Sequence, residues 1–240
     1  MFKRMLSAFG IGGPTVDTVL DSPHALPGLL ISGRVNVRGG GADTSIDQVL
    51  LSLVTQVEAP HDDVPELLRM IVRRDVRVSA GELVSIPFQL RMPWETPITA
   101  VGGTLLPGIT VGLLAGGDLV PVLVGPLPSQ DRVLDAFGQL GFTFRGTTVE
   151  AGLLHGVPHD LGCYQELAFF PPASFARRVY QVGLTFVTSP EELRVILEAG
   201  NRDNTYSSRG DTSGCFRVSH EEALTVDWVA AISGWLSSIS

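Results

Sequence analysis

The stretch Ile31-Ser-Gly-Arg-Val-Asn-Val-Arg38 decides the fold class. Ile31, Gly33, Val35 and Val37 alternate with Ser32, Arg34, Asn36 and Arg38, a period of two that sends alternate side chains to opposite faces of a strand. A Pro27-Gly28 turn precedes it and Gly39-Gly40-Gly41 follows. The same period recurs upstream, where Val16, Thr18 and Leu20 alternate with Thr15, Asp17 and Val19. Downstream it returns in Val49, Leu51, Leu53, Thr55 and Val57, then in Met70, Val72, Val76 and Val78. After the Ser79–Glu82 turn it appears again in Val84, Ile86, Phe88 and Leu90. Strands of this length, separated by turns and not by helices, specify an all-β antiparallel sandwich or barrel.

Beyond residue 90 the punctuation changes. Residues 121–128, Pro-Val-Leu-Val-Gly-Pro-Leu-Pro, read as a stiff hinge closing a first domain, 1–125. A second domain, 126–240, then opens with a linker helix at 129–140, with Ser129 as N-cap, Val133, Leu134, Phe137 and Leu140 as its apolar stripe, and Gly141 as its stop. Strands resume at Phe142–Phe144, Tyr164–Phe170 and Tyr180–Phe186. Residues 189–199 read two ways: Ser189-Pro-Glu-Glu192 resembles a helix start, yet Leu193, Val195 and Leu197 alternate. Gly200–Gly214 reads as a polar loop, and Phe216 with Val218 as a short strand. Ser219 and Glu222 form a capping box for a closing helix at 220–239, striped by Leu224, Trp228, Ile232, Trp235 and Ile239. At the other end, Phe2, Met5, Leu6 and Phe9 fall at helical spacing. The second domain is therefore expected to be a β-sandwich flanked by short helices.

Composition excludes several classes of function. The net charge of −8 argues against nucleic acid, whose binding needs concentrated Lys and Arg. Lys3 is the sole lysine, which leaves neither a P-loop nor a pyridoxal lysine in a folded context. Cys163 and Cys215 follow no secretory leader, so two buried free thiols in a cytoplasmic protein are expected. Between Glu95 and Asp131 the one charge is Asp118, but Pro107, Gly108, Gly116, Gly117, Pro121 and Pro126 break the stretch, so buried strands fit it better than a spanning helix.

Candidate sites are few. His155, His159 and Cys163 have metal-like spacing, but Gly156, Pro158 and Gly162 forbid a helix, and four residues of strand span about 13 Å. Gly210-Asp-Thr-Ser-Gly214 is not a nucleophile elbow, and His61-Asp62-Asp63 lacks the ligand ladder of a calcium loop. No catalytic residue, metal ligand or cofactor site is assigned. Two surfaces stand as candidates for partner binding: the stripe Arg69, Arg73 and Arg77, and the pair Trp228 and Trp235. The competing readings are a solvated outer face for the arginines and core packing for the tryptophans.

Several strings, in order, are similar to the SpoOM sporulation-control family. They are Phe2-Lys-Arg-Met-Leu-Ser-Ala-Phe-Gly-Ile-Gly12, Val16-Asp17-Thr18, Gly33-Arg-Val35 and Asp47-Gln-Val-Leu-Leu-Ser-Leu53. The most characteristic is Val133-Leu-Asp-Ala-Phe-Gly-Gln-Leu-Gly-Phe142. Tyr164-Gln165-Glu166, Phe169-Phe-Pro-Pro172, Asp227-Trp228 and Gly234-Trp235-Leu236 complete the set. Where the family carries an acidic, proline-containing stretch, this chain has the apolar Gly116–Val124. The resemblance implies two arrestin-like β-sandwich domains, a strand for 193–199, and regulation of sporulation or cell development without catalysis. The function expected is thus a non-enzymatic scaffold for other proteins. A peripheral membrane adaptor using Phe2–Phe9 and the arginine stripe, and a hydrolase with a loop-built site near 155–163 or 211–213, are the rivals. The sequence leaves the oligomeric state open.

Overall fold

The structure is a computed structural model and describes residues 12–57, 65–117, 119–154, 156–200 and 213–239. Two compact units emerge. The first comprises Met1–Ala25, Leu29–Pro93 and Thr110–Val124; the second comprises Leu26–Gly28, Trp94–Ile109 and Gly125–Ser240. Residues 26–28 and 94–109 thus group with the second unit, although a division at 125/126 counts them with the first.

In chain order the first strands are β1 (Thr15–Leu20), β2 (His24–Ala25), β3 (Leu30–Arg38), β4 (Thr44–Val57), β5 (Glu66–Val78) and β6 (Leu83–Arg91). A short hairpin, β7 (Ala100–Val101) with β8 (Thr104–Leu105), belongs to the second unit, and β9 (Ile109–Leu114) and β10 (Val120–Val124) complete the first. One sheet has the order β1-β3-β6, the other β2-β10-β9-β4-β5. The deciding stretch is the central strand β3, antiparallel to both neighbours, with Val35 opposite Thr18 and Ile86. Its apolar set alternates as the period demands: Ile31, Val35 and Val37 are buried with Ile86, Phe88 and Leu90 of β6. The five-stranded sheet contributes Leu51, Leu53, Val111, Leu113, Val122 and Val124 to the core.

Gly33 shows how closely this sheet is fitted. A Cβ there would lie 2.3 Å from the Val19 carbonyl oxygen and 2.9 Å from the Phe88 ring, so no larger residue fits without moving the backbone.

The hinge expected at 121–128 is half strand. Val120–Val124 is β10, antiparallel to β9 and parallel to β2, with Val122 and Val124 buried. Pro121 is tolerated because β2 pairs with Leu123 and Val124, which leaves position 121 without a strand partner on that flank among the described residues.

The second unit is built on a five-stranded antiparallel meander: β11 (Thr143–Ala151), β12 (Cys163–Phe170), β13 (Gln181–Thr188), β14 (Glu192–Gly200) and β15 (Ser213–Ser219). Helices α1 (Pro128–Gln139), α2 (His220–Ala223) and α3 (Trp228–Ser238) pack on it. Val133 and Phe137 of α1 and Ile232 and Leu236 of α3 share one core with Leu167, Leu184, Leu193, Val195 and Leu197. The Phe137 ring lies 4.6 Å from that of Phe169 and 4.9 Å from that of Phe142.

Residues 192–200 are strand, so the alternation of Leu193, Val195 and Leu197 prevails over the helix-start signal. The Ser189 side chain instead caps a turn, accepting from the N–H groups of Glu191 and Glu192. Helix α1 begins at Pro128, one residue before the expected 129–140, and its N-cap is Leu127, two residues before Ser129; Pro128 occupies the favoured first position, and Gln130 Oε1 accepts from the Leu127 N–H. Ser129 therefore lies inside the helix. Gly141 ends the segment as expected, with φ of 84°.

The single closing helix expected at 220–239 is two. The Ser219/Glu222 capping box is present, but α2 stops at Ala223, and the Asp227 side chain caps α3 afresh by accepting from the Ala230 N–H.

In class the chain is all-β, with two units of mainly antiparallel strands and short helices mid-chain and near the C-terminus. The helix expected at residues 2–9 lies outside the described residues.

Candidate functional site

The arginine stripe lies on β5, an edge strand of the five-stranded sheet. Arg69, Arg73, Arg74 and Arg77 are all exposed, and Val76 and Val78 are buried. Arg69 is held by Glu66 at 2.6 Å; Arg73, Arg74 and Arg77 have no ion pair among the described residues. The strand is irregular: its register against β4 shifts between Val49 and Leu50 and again between Leu53 and Val54, and Asp75 adopts a left-handed φ of 51°. Bulges, positive charge and a left-handed residue are the devices that stop an edge from recruiting another strand. This edge therefore presents cationic side chains rather than a flat backbone ladder.

The two tryptophans sit elsewhere. Trp228 is 3% exposed, donates its Nε1–H to the Ala223 carbonyl at 2.8 Å, and meets Phe216 edge-on. It belongs to the core of its unit. Trp235 is half-buried, packed against the same core, with its indole lying over the backbone of Gly214. A Cβ at Gly214 would come within 2.7 Å of that ring. Both tryptophans belong to the second unit and the arginine stripe to the first.

A polar cluster that no spacing rule pointed to forms where Glu95 meets the loop between β11 and β12. The Glu95 carboxylate accepts from the Asp160 N–H at 3.0 Å and the Leu161 N–H at 2.9 Å. His159 has its side chain 1% exposed, accepts at Nε2 from the Leu154 N–H at 2.9 Å, and turns Nδ1 towards Glu95 at 3.7 Å. Accepting at Nε2 leaves Nδ1 to carry the ring's N–H, and this buried atom has no hydrogen-bond partner among the described residues. Burial, and then the Glu95 charge, push the Cys163 thiol above its ordinary range, so it stays protonated. A small cavity of about 20 Å³, room for one water, touches Glu95, His159, Cys163 and Gln165. Beside it a more open cleft of about 530 Å³ runs between the loop and residues 187–194.

A second histidine is also engaged structurally. His220 Nε2–H donates to the Ser189 carbonyl at 2.9 Å, so the neutral ring accepts at Nδ1 from the Ser129 hydroxyl at 2.8 Å. Ser129 is buried and lines neither cavity, and the Trp94 ring covers His220 at 5.7 Å. The pair ties α1 to α2 and to the turn before β14.

Of the residues singled out in sequence, His159 and Cys163 do line one cavity, but His155 lies outside the described residues. So do His61-Asp62-Asp63 and the first residues of Gly210–Gly214. Among the described residues no group of three or more His, Cys, Asp or Glu is placed to hold a metal ion. Of the thiols expected to be buried, Cys163 is and Cys215, on the edge strand β15, is exposed. Glu95 escaped sequence reading because it acts on residues 65 and 66 positions away.

These features define an all-β protein of two strand-built units in which His159, His220 and Glu95 hold the chain's own loops in place. A family model described as "SpoOM protein" matches residues 2–203, and the chain belongs to that family. It is 29% identical over 212 residues to the sporulation-control protein spo0M of Bacillus subtilis (strain 168), covering 84% of this chain and 81% of that one. The crystal structure of Spo0M, sporulation control protein, from Bacillus subtilis, matches with a TM-score of 0.81 at 22% identity, over 96% of this chain and all of that one. No helix among the described residues is long and apolar enough to cross a membrane.

Proposed function

We propose that this chain is a non-enzymatic regulatory protein of the cytoplasm that acts by binding other proteins in the control of sporulation or cell development. The observation that carries the reading is β5: a 13-residue edge strand with four exposed arginines, three of them without an ion pair among the described residues. On a chain of net charge −8 such a cluster is a local exception, suited to an acidic face of a partner protein. The name of the Bacillus subtilis relative supplies the biological setting. The chemistry of the polar groups supports binding over catalysis: Cys163 is held as the thiol, His159 spends Nε2 on a backbone N–H, and Ser129 is buried.

The test is genetic and biochemical together. In a strain lacking the gene, the wild-type chain is expected to restore development, and the variant Arg73→Glu/Arg77→Glu to fail although it folds. In-cell crosslinking of the wild type is expected to give a discrete partner band that the variant loses. Full restoration by the variant, with the same crosslinks, refutes the role of β5. Flotation of the purified chain with anionic vesicles, abolished by deleting residues 1–9, reassigns it as a membrane adaptor.

A further inference from the structure

The second unit carries its own exposed cation–aromatic cluster at one end of the meander. The ladder between β11 and β12 slips between Phe144 and Gly146, which makes Arg145 the extra residue of a bulge. Bulges re-aim side chains. Here the exposed Arg145 guanidinium lies 5.3 Å over the centroid of the Phe170 ring. Phe170, the last residue of β12, meets Tyr180 edge-on at 6.1 Å. Phe170 and Tyr180 are 38% and 40% exposed. On the connection from β12 to β13, Arg177 and Arg178 are exposed and have no ion pair among the described residues. All five residues belong to one unit.

We propose that this patch is a second protein-docking surface, which takes an acidic peptide segment of a partner carrying an aromatic or large apolar side chain. The proposal does not rest on β5. Tyr, Phe and Arg are the residues that dominate binding hot spots, and here each is braced before any partner arrives. The edge-to-face pair fixes the rings, and stacking on Phe170 limits the rotamers of Arg145. A partner's apolar side chain would cover the open halves of the rings, and its carboxylates would meet Arg177 and Arg178.

Charge selects the class of partner. Nucleic acid and anionic lipid are extended anions and would also meet the remaining acidic surface of a chain of net charge −8. A short segment senses mainly charges within a Debye length, about 10 Å at 0.1 M salt. The rings meet edge to face and each residue is more than half covered, which suits a docked side chain better than insertion into a bilayer.

The test uses the full chain and a fluorescein-labelled synthetic peptide, rich in glutamate with one central tryptophan, read by anisotropy at low salt. A control peptide has glutamine in place of every glutamate. Binding of the glutamate peptide is expected to weaken about tenfold or more in Arg177→Glu/Arg178→Glu and in Tyr180→Ala. In Arg73→Glu/Arg77→Glu, on the other unit, it should stay within about twofold of wild type. Both arginines are exposed, so unchanged circular dichroism and thermal midpoint should accompany the loss in Arg177→Glu/Arg178→Glu, and Tyr180→Ala should keep its circular dichroism although it gives up the ring contact with Phe170. The proposal is overturned if the wild type ignores the glutamate peptide or binds the glutamine control equally well. It is overturned too if the Arg177/Arg178 variant binds like wild type, or if only the β5 variant loses binding. Flotation with phosphatidylserine vesicles that the same Arg177/Arg178 changes abolish would reassign the patch to lipid.

Discussion

Cys163 and Cys215 share a chemistry and differ in everything around it. Burial and the neighbouring Glu95 raise the Cys163 thiol, whereas Cys215 sits exposed on an edge strand. With a disulfide reagent near the ordinary thiol range of about 8.5, one thiol should react promptly, and Cys215→Ser should remove that phase. Cys163 should titrate only as the chain unfolds. Glu198 gives a pH signature of known sign. Burial raises its carboxyl above the usual range, so its contribution to stability is present in acid and is lost as pH climbs through the raised value. Glu198→Gln should flatten that part of the curve, and urea midpoints compared between acid and neutral pH read it directly. Glu192 has the opposite sense. Hydrogen bonds from Arg217 at 2.6 Å and Arg194 at 2.8 Å lower its carboxyl, reconciling two arginines that face each other across β14 and β15.

At the scale of elements, side chains far apart in sequence set the boundaries. Strand alternation located β3 and β6 because a period of two has one physical reading once a face is buried, whereas at β14 it competed with a helix-start signal and the family resemblance favoured the strand. Helix starts were harder: Ser129 looks like a cap, but its hydroxyl is committed to His220. The break after Ala223 was legible in hindsight from Asp227, the N-cap of α3, which replacement by alanine should expose. Asp227→Ala is expected to cost about 1 kcal/mol in urea unfolding. The loop between β11 and β12 depends on Glu95 in the same way. Glu95→Ala should speed hydrogen exchange at the Asp160 and Leu161 amides by orders of magnitude more than at core amides such as Leu184 and Val195, because it removes their acceptor and leaves the sheet intact.

For the whole molecule, the fold was largely readable and the sites largely not. Apolar periodicity is a property of neighbours in sequence, so it survives without a structure. Arg69, Arg73 and Arg77 were visible as a stripe for that reason. Trp228 was visible too, but burial at 3% makes it core, a distinction that helical spacing does not carry. The bulge at Arg145 and the carboxylate of Glu95 act across long separations and leave no trace in spacing. A chain of net charge −8 that binds through arginine clusters should have partners with steep salt dependence. Raising ionic strength from low to physiological should slow association measurably in surface-based kinetics and change dissociation far less. An association rate indifferent to salt counts against both arginine surfaces.

The indole of Trp235 occupies the space a side chain at position 214 would need. The two positions are one choice made twice. As lineages of this protein diverge, a β-carbon should appear at 214 only where the residue at 235 has become smaller. A hybrid gene joining the β15 of one lineage to the last helix of another inherits the clash, so recombination between these short neighbouring segments is constrained even where every other residue is interchangeable.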